Sequence, residues 1–92
     1  MTVRFHYHRS QKDVPRLDIA KGDRLCHVYS DSSRDELEAW GLENGLDPRW
    51  IHEGTLPHFD AFGDRLRLCG PGVTRAQLKE HIRFWRSKAP RP

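Results

Sequence analysis

From Thr2 to His8 the chain alternates strictly between two kinds of side chain. Val3, Phe5 and Tyr7 fall on one side of an extended backbone, and Arg4, His6 and His8 on the other. A two-residue period of this kind specifies a half-buried β-strand, with its apolar side turned towards a core. It also demands a partner strand and a layer to cover the apolar side. Leu25 to Tyr29 supplies the partner. Leu25, His27 and Tyr29 share one face, and Cys26 and Val28 the other. Between the two strands, residues 9–23 are polar and contain Pro15 and Gly22, which predicts a long loop. Only Val14, Leu17, Ile19 and Ala20 offer to pin it. Loops of this length in small domains often carry function.

Helices follow. Ser33-Arg34-Asp35-Glu36 has the form of a capping box, in which the Ser33 hydroxyl accepts from the Glu36 N–H and the Glu36 side chain reaches back. Leu37, Trp40 and Gly41 make its inward stripe, Gly45 is a left-handed stop, and Asp47-Pro48 completes the break. Arg49 to Pro57 reads as a short strand or turn and then a loop. Phe59 to Phe62 and Arg65 to Cys69 fit a hairpin around Gly63-Asp64, with Leu66 and Leu68 inward, and a helical turn fits the same residues. Thr74-Arg75-Ala76-Gln77 is a second capping box. Leu78, Ile82 and Trp85 recur at i, i+4 and i+7, the stripe of a helix lying on a core, with Trp85 inside it. The expectation is one small soluble α/β domain over residues 1–92, with three or four short strands and two helices. Residues 74–88 form the C-terminal helix, Pro90 ends it, and residues 89–92 are a tail.

Composition narrows the class. Ninety-two residues leave no room for a second core. Charged residues make up 32%, yet three Trp, four Phe and two Tyr provide enough bulky anchors for a folded domain. No apolar run is long enough to span a membrane, and the first ten residues lack a signal core. A cytoplasmic protein is expected. Cys26 and Cys69 do not form a Cys-x-x-Cys pair, so they read as separate thiols packed as small hydrophobes, not as a zinc knuckle or a disulfide framework. The net charge of +3 is unevenly spread. From Arg75 onward six basic residues stand against one acid, whereas the preceding residues carry ten basic and twelve acidic side chains. The basic character therefore belongs to the last helix and tail.

Chemistry concentrates in His6, His27, His58 and Asp60. His6 and His8 share a strand face, as do His58 and Asp60. Neighbouring strands would let His6, His27, His58 and Asp60 converge as ligands of a divalent transition ion such as zinc or nickel. Without a metal, His58 would act as a general base beside Asp60, with His27 in the same cluster and Arg49 or Arg65 holding an anion. The competing reading gives these histidines ordinary structural or solvated roles. Gly70-Pro71-Gly72 lacks the Lys-Ser/Thr of a phosphate loop.

The run His27-Val28-Tyr29-Ser30-Asp31, then Asp35-Glu36-Leu37, Gly45-Leu46, Trp50 and His58-Phe59-Asp60, resembles an uncharacterised bacterial and phage family, a domain of unknown function numbered 4031. The likeness covers residues 1–78 and is strongest from His27 to Asp60. Two departures stand out. The family's first strand typically ends in an acidic pair where this chain has His6 and Tyr7, and Phe62 to Val73 matches loosely. The resemblance implies one small domain and points at His27, His58 and Asp60. It implies no activity.

Three function classes follow from these readings. One is a His/Asp site that binds a divalent metal or supports hydrolysis. The second is a module that binds nucleic acid or another acidic partner through Arg75, Lys79, Arg83 and Arg86, with Phe84 and Trp85 as stacking groups. The third is a plain interaction domain, monomeric or a small homo-oligomer.

Overall fold

A computed structural model describes residues 2–88; the expected tail 89–92, with Pro90 and Arg91, lies outside the described residues. Strand β1 (Val3–Arg9) pairs antiparallel with β2 (Arg24–Ser30), and β2 pairs antiparallel with β3 (Phe59–Ala61), so β2 is central in a three-stranded sheet. The register sets Phe5 opposite Val28 opposite Phe59, and Tyr7 opposite Cys26 opposite Ala61. Directly opposed residues share a face, so the apolar halves of all three strands form one surface.

Helix α1 (Arg34–Glu43) covers that surface. Leu37 and Gly41 are buried against it, and Cys26, Val28, Leu46, Ile51, Phe59 and Ala61 complete the core. The contact is close: a β-carbon on Gly41 would stand 2.6 Å from Phe59 Cζ. Only glycine lets the helix axis sit this near the aromatic ring. The Ser33 hydroxyl accepts from the Glu36 N–H at 3.1 Å, as expected of the cap. The returning half of the box is relayed. Glu36 accepts from the buried Ser30 hydroxyl at 2.7 Å, and that hydroxyl's oxygen accepts from the Ser32 and Ser33 N–H groups. A fully buried serine thereby satisfies the helix start and ties it to the end of β2. At the other end Leu46 N–H reaches Gly41 O at 2.8 Å and Gly45 N–H reaches Leu42 O at 3.3 Å, with Gly45 at φ 76°. This is the Schellman closure that the Gly45-Leu46 pair predicts.

Helix α2 (Arg75–Lys88) lies on the opposite face. Its cap is fully reciprocal: Thr74 Oγ1 accepts from Gln77 N–H at 3.1 Å, and Gln77 Oε1 accepts from Thr74 N–H at 2.9 Å. Tyr29 Oη bonds His81 Nδ1 at 2.6 Å, and the Trp85 indole N–H donates to Ser30 O at 2.8 Å. The expected Leu78/Ile82/Trp85 stripe does face the sheet, but no residue of α2 is fully buried. Trp85 sits half-buried at the margin, not in the core, with its indole nitrogen held by a backbone carbonyl at the end of β2.

Two segments differ from a plain reading of the sequence. The residues after β3 do not return as a hairpin strand; Gly63–Leu68 form a 3-10 helix, the helical alternative. Gly63 at φ 59° turns the chain out of the sheet after Ala61. The short helix then carries Leu66 back against the core. The β1–β2 connection is long but not structureless. Ser10 N–H bonds Asp23 O, Val14 and Ile19 bridge across a 3-10 turn at Pro15–Leu17, and Ile19 is buried, while Leu17 and Ala20 are exposed.

Candidate functional site

The face of the sheet turned away from α1 carries the polar halves of the strands. In register, His6 stands opposite His27, and His27 opposite Asp60, so one cross-strand row holds three of the four expected site residues. The fourth, His58, lies two residues before Asp60. Its backbone exchanges hydrogen bonds with His52, N–H to O at 2.8 Å and 3.2 Å, which folds the Arg49–Pro57 segment over the edge of the row.

Asp60 is the hub. Its Oδ1 lies 3.4 Å from His27 Nε2 and 3.5 Å from His58 Nε2, and its Oδ2 lies 3.0 Å from His52 Nε2. One donor atom from each of His27, His58 and Asp60 falls within 4.8 Å of the others. His6 contacts the cluster from behind: its Nδ1 is 3.5 Å from His27 Nδ1 and does not reach the carboxylate. The ring of His8 stacks on His27 with centroids 4.1 Å apart, and His8 Nε2 is buried with no hydrogen-bond partner among the described residues. Five of the chain's six histidines thus meet at one place.

The protonation pattern has a definite logic. Burial, reinforced by the neighbouring His8 and His58, pushes the His27 pKa down to about 4 against the opposing pull of Asp60. At neutral pH His27 is therefore an uncharged imidazole, and its contact with Asp60 is not an ion pair. His6 is lowered as well, first by burial and then by His8 and Arg75. His58 Nδ1 lies 2.9 Å from Leu56 O, and a carbonyl only accepts, so this nitrogen carries the proton. In neutral His58 the Nε2 atom then holds a lone pair directed at another acceptor, Asp60 Oδ1. Two acceptors 3.5 Å apart are a pair that a metal ion can bridge. Ligands around a tetrahedral zinc at about 2.0–2.1 Å stand roughly 3.3–3.5 Å apart; the two spacings to Asp60 match this, and all three donor atoms lie within the wider limit of 4.8 Å.

The cluster opens into a cleft of about 700 Å³. His8, His27, His52 and Asp60 line it together with Trp50, Arg49, Arg65, Lys12 and Arg16. His52 and His8 are the site residues that sequence reasoning passed over. His8 was legible as a face-mate of His6. His52 lies in an aperiodic segment and joins only through its backbone pairing with His58. The basic residues Arg75, Lys79, Arg83 and Arg86 are exposed on α2, away from the cluster; only Arg75 is near enough for its charge to act on His6.

Among the described residues no helix is long and apolar enough to cross a membrane. Neither a curated protein nor a solved structure matches the chain. A family described as "Protein of unknown function (DUF4031)" matches residues 13–88, from the β1–β2 loop to the end of α2. That span takes in His27, His52, His58 and Asp60 and leaves out the β1 histidines, and it identifies the chain as a member of the DUF4031 family.

Proposed function

We propose that the protein holds a divalent transition metal ion such as zinc through His27, His58 and Asp60, and that the open side of this centre serves hydrolysis. The observation that carries the reading is the pairing of two acceptors, His58 Nε2 and Asp60 Oδ1, which leaves a place for a cation. Each residue has a role suited to its setting. The Leu56 carbonyl fixes the His58 tautomer, as the partners behind metal-binding histidines usually do. His6 orients His27 from the far side. His52, on the other carboxylate oxygen, is a fourth donor or a proton carrier for a bound water. An ion held here would lower the pKa of such a water towards neutrality. The two unpaired thiols, Cys26 and Cys69, suit a reducing cytoplasmic setting.

Calorimetric titration of zinc into the chelator-stripped protein tests this. Wild type should bind about one ion, and His58→Ala and Asp60→Ala should weaken binding at least tenfold, in line with loss of one ligand of a small set. Equal and weak binding by all three would remove the reading.

A second reading concerns α2. Arg75, Lys79, Arg83 and Arg86 recur at i, i+4, i+8 and i+11 and so share one stripe, and none of the four is in an ion pair among the described residues. The stripe suits the phosphate backbone of a nucleic acid. Affinity for duplex DNA should then fall with salt by a log–log slope of about −0.9 per phosphate contacted. No binding at low salt would leave α2 as a solvated face.

A further inference from the structure

The lining of the cleft makes two chemical demands beyond the cluster itself. One is for negative charge. Lys12 and Arg16 from the β1–β2 loop and Arg49 and Arg65 from either side of β3 line the space, against the single carboxylate of Asp60. Arg49 is spoken for by Asp47 at 2.7 Å. Lys12, Arg16 and Arg65 are in no ion pair among the described residues. The other demand is for a flat ring. Trp50 remains 48% exposed at the cleft, and the Arg65 guanidinium sits 4.7 Å from its ring centroid. That stack steadies the indole and leaves the rest of its surface open. A large indole held in place at the mouth of a cationic cleft is a stacking platform for a planar ligand. Volume agrees: about 700 Å³ lies within the usual range for small-ligand sites.

We propose that this cleft binds a nucleoside phosphate, its base stacked on Trp50 and its phosphate held by Arg65 with Lys12 and Arg16. The phosphate ester then shares the cleft with His27 and Asp60. The role of the ligand as a substrate rests on the metal centre proposed above; its binding does not. A free mononucleotide and an unpaired nucleotide within a single strand present the same chemistry, and the two are separated by experiment.

The test is equilibrium binding, followed by tryptophan fluorescence and calorimetry on the full chain with EDTA present. The probes are adenosine 5′-monophosphate, inorganic phosphate, adenosine and a short oligothymidylate. The nucleotide should bind at least about tenfold more tightly than inorganic phosphate, the increment expected from one stacked base, and more tightly than adenosine, which lacks the phosphate. Trp50→Leu should bring the nucleotide down to the level of phosphate. The double variant Lys12→Gln/Arg16→Gln should bring it down to the level of adenosine. Both changes are at exposed positions, and an unchanged far-ultraviolet spectrum checks the fold. Tighter binding of the oligomer with a steep salt dependence identifies a single strand as the source; equal binding identifies the free nucleotide. If the nucleotide binds no better than phosphate, or if Trp50→Leu binds it as wild type does, the proposal is overturned. Zinc titration of Trp50→Leu keeps the two proposals apart. Intact zinc binding with no nucleotide binding in wild type sinks only the present one, and nucleotide binding without zinc binding sinks only the metal centre.

Discussion

Val28 and His27 are neighbours on the central strand, and their surroundings could hardly differ more. Val28 meets Phe5 on one side and Phe59 on the other, under α1, and is completely buried. His27 meets His6 and Asp60 in the same register, with its own side chain 33% exposed and that of Asp60 40%. One pairing scheme therefore builds both the core and the site. A slip of one residue would turn every side chain over, burying imidazoles and exposing aromatics. Around the histidines the polar face is only part-buried, so their geometry is inherited largely from the apolar face behind them. That division suits a site: the groups that must stay accessible are held by groups that need not.

The largest expected effect lies on the packed face. Phe59→Ala should destabilise the protein by about 3–5 kcal/mol, as for other buried aromatics, measured by denaturant unfolding. It should also weaken zinc binding, since Phe59 separates His58 from Asp60. Gly41→Ala should destabilise too, by about 1–3 kcal/mol, although alanine is ordinarily the better helix former, because the new methyl would meet Phe59 at 2.6 Å. A stabilised Gly41→Ala would mean that α1 does not press on the sheet as described.

A smaller contrast separates the two helix caps. Ser30→Ala removes the buried hydroxyl that bonds Glu36 and accepts from the Ser32 and Ser33 N–H groups, and should approach the upper end of the usual 0.5–2 kcal/mol range for caps, about 2 kcal/mol. Thr74→Ala, on an exposed cap, should fall near the lower end, about 0.5 kcal/mol. Midpoints of chemical denaturation compare them directly. Equal losses would show that burial of the Ser30 hydroxyl adds nothing to the first cap.

The last effect belongs to the polar face and depends on pH. In the unfolded chain His27 takes up its proton near pH 6.5, and in the folded one only near about 4. The folded state thus binds fewer protons in this window. Stability contributed by neutral His27 is complete above pH 6.5 and is lost as the pH falls towards about 4. His6, lowered for similar reasons, adds in the same direction. In chelator-treated protein, His27→Gln should flatten this acid limb. An unchanged limb would mean that other groups set it.

Much of this was readable in the chain itself. The alternation of residues 3–8, the Ser33 and Thr74 caps and the Gly45 stop are local signals, each decided within a few residues, and each element formed where its signal lies. So was the shared face of His58 and Asp60, which spacing alone dictates. Other features needed the whole fold. The central place of β2, the register that lines up His6, His27 and Asp60, and the approach of His52 to the carboxylate depend on which apolar residues meet across strands far apart in sequence. The short segment 63–68 carried both hairpin and helical signals, and packing of Leu66 against the core favoured the helix. Side-chain periodicity told each strand which way its histidines point. Only burial of Phe5, Val28 and Phe59 against α1 decided that the histidines point at one another, because register is a property of pairs of strands and no single segment contains it.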